Sequence, residues 1–229
     1  MNLMIPKTAL RFTPATIHAD VPIDILSYAM GKCALGKVLV ARSVNGVCAI
    51  LIGDDHDELE RELAAGFPQS KPVANEVVVH DDLCKVIGFV DKPTNGLDLT
   101  LDMRGTALQR RVWEKLRAIP VGRTVTYTEL ARWISPLASA RVVAGACAAN
   151  PIALAIPCYR VARTDGDLAG YRWGIERKRE LIRKEAMASV DRDSKVSRCG
   201  PARDWRIDGQ GQRAQHPADG MEKRYGEPS

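Results

Sequence analysis

TYTELARWISPLASARVVAGACAAN, running from Thr126 to Asn150, reads as two short helices separated by a tight turn. Thr126 followed three residues later by Glu129 is a capping-box pattern, in which the two residues satisfy backbone N–H groups left free at a helix start. A helix therefore opens at Tyr127 and runs to Ile134. Ser135-Pro136 ends it, because proline lacks the N–H that a helix interior needs. Ser139 is placed to cap a second helix reaching Ala149. Such a pair forms a helix-turn-helix, whose second member normally enters a groove of DNA. That member is built mostly of small residues, with Ala140, Ala144, Gly145, Ala146, Ala148 and Ala149. Two readings fit such a surface: close approach to a sugar-phosphate backbone, and close packing of helix on helix.

Toward the amino end, Leu108, Val112, Leu116 and Ile119 recur at helical intervals after Thr106, until Pro120 and Gly122 stop the run. Arg110, Arg111, Lys115 and Arg117 fall on the outer side. Val38 to Ala41 and Val47 to Ile52 are apolar, β-branched runs, and Asn45-Gly46 between them favours a hairpin, so two antiparallel strands are predicted there. Asp57 to Phe67 has helical spacing at Leu59, Leu63 and Phe67, while Val77 to Val79 and Leu97 to Leu101 are expected to be further strand. The fold class is α/β. A small structural α/β module is expected over 20–102, after an extension over 1–19, and a mostly helical module over 103–187. From 188 to 229 the text turns polar and aperiodic, and disorder is expected.

The 229 residues, 45% hydrophobic and 27% charged, are ordinary globular composition and long enough to bury a good core. No apolar stretch approaches the ~20 residues of a membrane span, and the opening residues are too short for a secretory apolar region. A soluble, cytoplasmic protein without a membrane partner is expected. The six cysteines show no Cys-x-x-Cys pair and no cysteine–histidine spacing suited to zinc, so no metal is expected. The net charge of +5 hides an asymmetry. Residues 1–102 carry 9 basic and 14 acidic side chains, whereas residues 103–187 carry 16 and 7. A basic second half beside an acidic first half reads as a nucleic-acid surface, since phosphate neutralisation dominates affinity. The competing reading is a merely solvated basic face.

Ala155-Ile156-Pro157-Cys158-Tyr159-Arg160 presents one cysteine after an apolar run, stiffened by a proline and followed by a basic residue. Asn150-Pro151 precedes it, Gly170-Tyr171-Arg172-Trp173-Gly174 follows, and Glu185 lies on a charged helix beyond. These motifs, with Arg123 to Tyr127 and Arg141 to Gly145 upstream, resemble in order and spacing the O6-alkylguanine-DNA alkyltransferases, especially the carboxyl-terminal repair half of Ada proteins. The resemblance runs from about Asp20 to Ala186. It departs at one place, where the family's histidine after the cysteine is Tyr159.

The resemblance implies a ribonuclease H-like amino-terminal module and a winged helix-turn-helix-like second module. It also implies direct, irreversible transfer of an alkyl group from O6-alkylguanine in duplex DNA to Cys158, by a monomer that needs no metal or organic cofactor. The zinc module at the amino end of full Ada proteins has no counterpart in this sequence, so its regulatory role is not expected here. A base stacked in duplex must be flipped out to be reached. In the family, the helix bearing Ala140, Ala144 and Gly145 lies in the minor groove, which offers little sequence code. Arg141 is implied to fill the vacated stack, and Tyr127 to rotate the 3′ phosphate and hydrogen-bond the base. An ordinary phosphate contact for Arg141 and a core-packing role for Tyr127 are the plainer readings. The Val161 and Cys158 carbonyls would accept from the guanine amine, Tyr171 would form a pocket wall, and the Arg172 amide would meet O6. Asn150 would tie the turns together, as a structural hinge or a helix cap.

The thiolate is the attacking form, and at pH 7.4 a free thiol is less than about 10 per cent ionised. In the family a histidine, oriented by a glutamate at the position of Glu185, takes the thiol proton through a water. A phenol with a pKa near 10 is a poor base, so Tyr159 predicts slowed transfer. A non-enzymatic lesion-binding protein is the second reading, although such relatives replace the cysteine that this chain keeps. A cysteine hydrolase is disfavoured, because His18, His56, His80 and His216 all lie outside the motif region.

Overall fold

The computed structural model describes residues 24–93, 96–168 and 170–196. The expected extension over 1–19 lies outside them. Three strands form an antiparallel meander: β1 (Asp24–Cys33), β2 (Gly36–Ser43) and β3 (Gly46–Gly53). The hairpin expected at Asn45-Gly46 joins β2 to β3, with Ser43 paired to Gly46. β4 (Ser70–Ala74) adds a short parallel edge beside β1, giving the order β3-β2-β1-β4. Its Pro72 suits an edge, where a missing N–H leaves no ladder bond unmade in the middle of the sheet.

Helix α1 (His56–Gly66), capped by Asp55, buries Leu59 and Leu63. Helix α2 (Glu76–Asp91) corrects the sequence reading, because Val77 to Val79 are its first turn and not a strand. Asn75 accepts from the Val78 N–H, and Val79, Leu83, Val86 and Val90 are buried at helical spacing, so capping and periodicity outweigh the β-branched run. Leu97 to Leu101 is likewise corrected: it forms no sheet strand, only an isolated bridge from Leu101 to Val47.

The basic half is helical. Helix α3 (Ala107–Arg117) opens with a capping box at Thr106 and Gln109 and buries Val112, Trp113 and Leu116. A two-residue strand β5 (Val125–Thr126) leads into α4 (Tyr127–Ile134), whose capping box is the one expected at Thr126 and Glu129. Helix α5 (Ala140–Ala148) follows, capped by Ser139. Trp113 donates its indole N–H to the Ala146 carbonyl at 2.8 Å, fastening α5 to α3. The last helix among the described residues, α6 (Ile175–Val196), extends through 188–196, a stretch expected to lack structure. The rest of that expectation, 197–229, lies outside the described residues. Described residues up to Asp191 belong to one compact unit. No helix among the described residues is long and apolar enough to cross a membrane.

Candidate functional site

Cys158 begins a single 3-10 turn, Cys158–Arg160, which passes into the short strand β6 (Val161–Ala162). β6 pairs in parallel with β5, setting Val125 beside Val161, so the start of α4 and the residues just past the cysteine are held together. On the other side, the approach to Cys158 is pinned to the sheet. Ile50 on β3 donates to the Pro151 carbonyl at 3.0 Å and accepts from the Ala153 N–H at 3.0 Å. Between these anchors Leu154 adopts a positive φ of 67°, uncommon for a branched residue, which bends the chain back toward the cysteine.

Asn150 stitches this bend. It is fully buried, accepts from the Ile152 N–H at 2.9 Å, and donates from Nδ2 to the Ile156 carbonyl at 2.8 Å and to Cys158 Sγ at 3.4 Å. An amide N–H aimed at sulfur favours its anionic form. Burial acts in the opposite direction and is the larger influence, so the Cys158 thiol sits above its ordinary pKa despite Asn150, Lys178 and Arg172.

Cys158 lines a pocket of ≈ 600 Å³ with Tyr127, Cys147, Tyr171 and Arg172. Tyr127 and Ala144 also border a neighbouring cavity of ≈ 620 Å³ edged by Ala140, Arg141 and Arg163, on the outer side of α5. The two spaces share a wall between the helix face and the sulfur. Gly145 lies on α5 beside them, and space lies open within 4 Å of where its Cβ would be. Burial, with the Cys147 and Cys158 thiols beyond it, raises Tyr127 to a pKa of about 12. Tyr171 packs edge-on against Trp173 at 5.2 Å, and its buried hydroxyl finds no hydrogen-bond partner among the described residues. Arg172 is ion-paired with Glu62 at 2.8 Å.

Behind the cysteine lies a buried charged knot. Glu185 on α6 accepts from the Tyr159 hydroxyl at 2.7 Å, from Arg160 Nη2 at 2.7 Å and Nε at 3.0 Å, and from the Gly122 N–H at 3.1 Å. Arg160 also donates to the Ile119 carbonyl. Tyr159 is fully buried, and burial holds its phenol well above the usual pKa.

Residues 107–187 match the family described as 6-O-methylguanine DNA methyltransferase, DNA binding domain. Over 172 residues the chain is 34% identical to the methylated-DNA–protein-cysteine methyltransferase of Candida albicans, covering 71% of this chain and 97% of that one. The chain belongs to the methylated-DNA–protein-cysteine methyltransferase family. It is also 47% identical over 159 residues to the bifunctional transcriptional activator/DNA repair enzyme Ada of Escherichia coli, covering 69% of this chain and 45% of Ada. It thus spans less than half the length of that relative. Among solved methyltransferase structures, that of Mycobacterium tuberculosis O6-methylguanine methyltransferase superposes with a TM-score of 0.56 at 29% identity, covering 71% of this chain and 94% of that one. A structure of the Mycobacterium tuberculosis protein in complex with DNA gives 0.56 at 28% identity, with the same coverage.

Within this methyltransferase fold, Cys158, Tyr127, Tyr171 and Arg172 share one pocket, whereas Tyr159 and Glu185 meet behind it. Arg141, Ala140 and Ala144 border the outer cavity. The Val161 carbonyl, expected to face a guanine amine, already accepts from Lys178 Nζ at 2.6 Å. Lys178, Cys147 and the Arg160 fork were not anticipated from the sequence. Lys178 carried a readable signal, since it lies on the same helical face as Leu181, Ile182 and Glu185. Among the described residues no group of three or more His, Cys, Asp or Glu side chains is arranged to hold a metal.

Proposed function

We propose that this protein repairs duplex DNA by moving the alkyl group of O6-alkylguanine irreversibly onto Cys158. The observation that carries the reading is the Cys158 sulfur lining a pocket whose Tyr127 wall is shared with the α5 face. In this reading α5 lies in the minor groove with Ala140, Ala144 and Gly145 near the backbone. Arg141 enters the stack in place of the flipped nucleotide, and Tyr127 turns the phosphate. The base then stands against Tyr171, whose unpartnered hydroxyl is available to a polar edge, and the Arg172 amide meets O6. Asn150 positions the sulfur. The basic balance of residues 103–187 supports a phosphate-bound footprint whose affinity falls with salt. The sheet and its two helices act as the ribonuclease H-like support, and α3 to α5 as the winged helix-turn-helix-like reader, in a monomer working in the cytoplasm.

Tyr159 tempers the chemistry. Its proton is engaged by Glu185, and a buried phenol that ionises only at high pH is no base for a thiol. Transfer is therefore slower than in a histidine-bearing relative. The same observation favours the second reading, a lesion-binding protein without transfer.

Mass measurement of the Cys158 peptide after incubation with duplex DNA carrying O6-methylguanine separates the two. A peptide heavier by one methyl is expected. An unmodified peptide alongside tight lesion binding would replace the repair reading with the sensor.

A further inference from the structure

Two cavities meet at Arg172. One is the Cys158 pocket, and the other is a cleft of ≈ 320 Å³ whose lining includes Glu58 and Glu62 of α1 together with Trp173 and Arg177. Arg172 Nε stands 2.8 Å from Glu62 Oε1, so a carboxylate of the amino-terminal α/β half reaches a residue of the pocket wall. That oxygen is buried and has no donor aligned for a hydrogen bond, which makes the contact one of charge rather than of direction. The Arg172 guanidinium also lies over the Trp173 ring, 5.7 Å from its centroid, and Trp173 meets Tyr171 edge-on at 5.2 Å. Glu62, Arg172, Trp173 and Tyr171 thus form one packed row from α1 to the pocket. Neither ring is tied by its own polar atom, since the buried Tyr171 hydroxyl and Trp173 indole N–H have no hydrogen-bond partner among the described residues. The far end of the segment is held separately: Arg177 donates to the Trp173 carbonyl at 2.8 Å, to the Leu35 carbonyl at 2.7 Å and to Asp54 at 2.6 Å. Toward Tyr171, the side-chain tie is the ion pair with Glu62.

We infer that Glu62 is a positioning residue for alkyl transfer, holding Arg172 so that the Tyr171 ring and the Arg172 backbone amide face the extruded base. The inference rests on the repair reading above and gives the α/β half a part in it. The DNA-facing residues of that reading lie on α4 and α5, so removing a charge from α1 should leave the grip on duplex unchanged. Without the carboxylate, the Arg172 cation turns to other acceptors, and the chain between Gly170 and Gly174 gains arrangements that carry the amide away from O6. Rates depend steeply on such placement, because a misplacement of about 1 Å can cost about 100-fold. The Arg172 and Glu62 side chains are 36% and 27% exposed, and a pair so open to solvent contributes less, about five-fold.

The test is single-turnover methyl transfer at saturating O6-methylguanine duplex, on the full chain as wild type, Glu62→Gln, Arg172→Gln and the double variant. Glu62→Gln keeps the shape of the side chain and removes its charge. It should react about five-fold more slowly while binding undamaged duplex as the wild type does. The Gly174 N–H, bonded to the Tyr171 carbonyl at 3.0 Å, should exchange faster in it, with exchange in α3 unaltered. Arg172→Gln should be slowed to a similar degree, and the double variant no further, because the pair acts as one unit. A double variant slowed by the product of the two, about 25-fold, would show independent action and overturn the inference. So would a Glu62→Gln protein that transfers at the wild-type rate, or one whose duplex affinity falls along with its rate. Should Arg172→Gln fail to fold, Glu62→Gln decides alone by rate, affinity and exchange. A wild type that transfers no methyl sinks the repair reading, and the exchange of Gly174 then decides separately whether Glu62 holds the loop.

Discussion

Glu185 is 1% exposed and Arg160 5%, so each is buried against the other as its counter-charge. Glu185→Gln leaves the Arg160 guanidinium buried without its counter-charge, and breaking a buried pair on one side costs about 3–5 kcal/mol. The urea midpoint should fall accordingly; a loss below about 1 kcal/mol would mean that the Ile119 carbonyl and Tyr159 suffice to hold the cation. Tyr159→His tests the chemistry of the same knot. An imidazole with a pKa near 6.5 adds a base next to the cysteine, and single-turnover transfer near neutral pH should rise by about 10-fold or more. No gain would show that the proton already has an adequate route. At this scale the sequence is legible where motifs are local, as at Pro157-Cys158 and Asn150. Lys178 and the Arg160 fork are not, because a cation in a charged helix or beside a polar run reads as solvated until the packing partner is known.

Elements present these residues through their ends. The capping box at Thr126 fixes where α4 begins, and so where Tyr127 stands relative to the pocket. Thr126→Ala should destabilise by about 1 kcal/mol and speed amide exchange in the first turn of α4 more than in α3; equal effects in both helices would refute a local cap. The hairpin at Gly46 is stricter. Gly46 has a φ of 138°, and a Cβ there would meet the Thr100 carbonyl oxygen at 2.5 Å. Gly46→Ala should therefore cost at least ~2 kcal/mol in urea unfolding, through both the backbone conformation and the clash. This turn was readable because Asn-Gly is a local signal, as were the capping boxes. β1 is not legible in the sequence, since its buried residues are few and its identity as a strand comes from partners at Arg42 and Ser70, distant in sequence. Val77 to Val79 misled for the opposite reason: three valines speak for strand locally, while Asn75 and the burial of Leu83, Val86 and Val90 make them helix.

Sheet and helices are joined by main-chain bonds that no local pattern announces, such as Ile50 to Pro151 and Ala153, and Val47 to Thr100 and Asp102. The interior they enclose holds several groups that resist ionising. Burial lifts the Cys48 thiol and the Tyr127 phenol to about 12, and pushes Cys147, Tyr159 and Tyr171 up as well. In the unfolded chain these thiols lose their protons near pH 8.5 and the phenols near 10. Between those values and the raised folded ones, the folded state binds more protons, so unfolding free energy falls as pH rises. The contribution is complete below about pH 8.5 and is lost progressively above it, at up to about 1.4 kcal/mol per pH unit for each group already ionised in the unfolded chain. Urea midpoints measured from pH 7.5 to 10.5 should hold level at first and then decline. The decline should be shallower in Cys48→Ala, once its loss of packing is subtracted at pH 7.5. A midpoint that stays flat to pH 10.5 would mean that these side chains reach solvent, and that the interior behind the pocket is open.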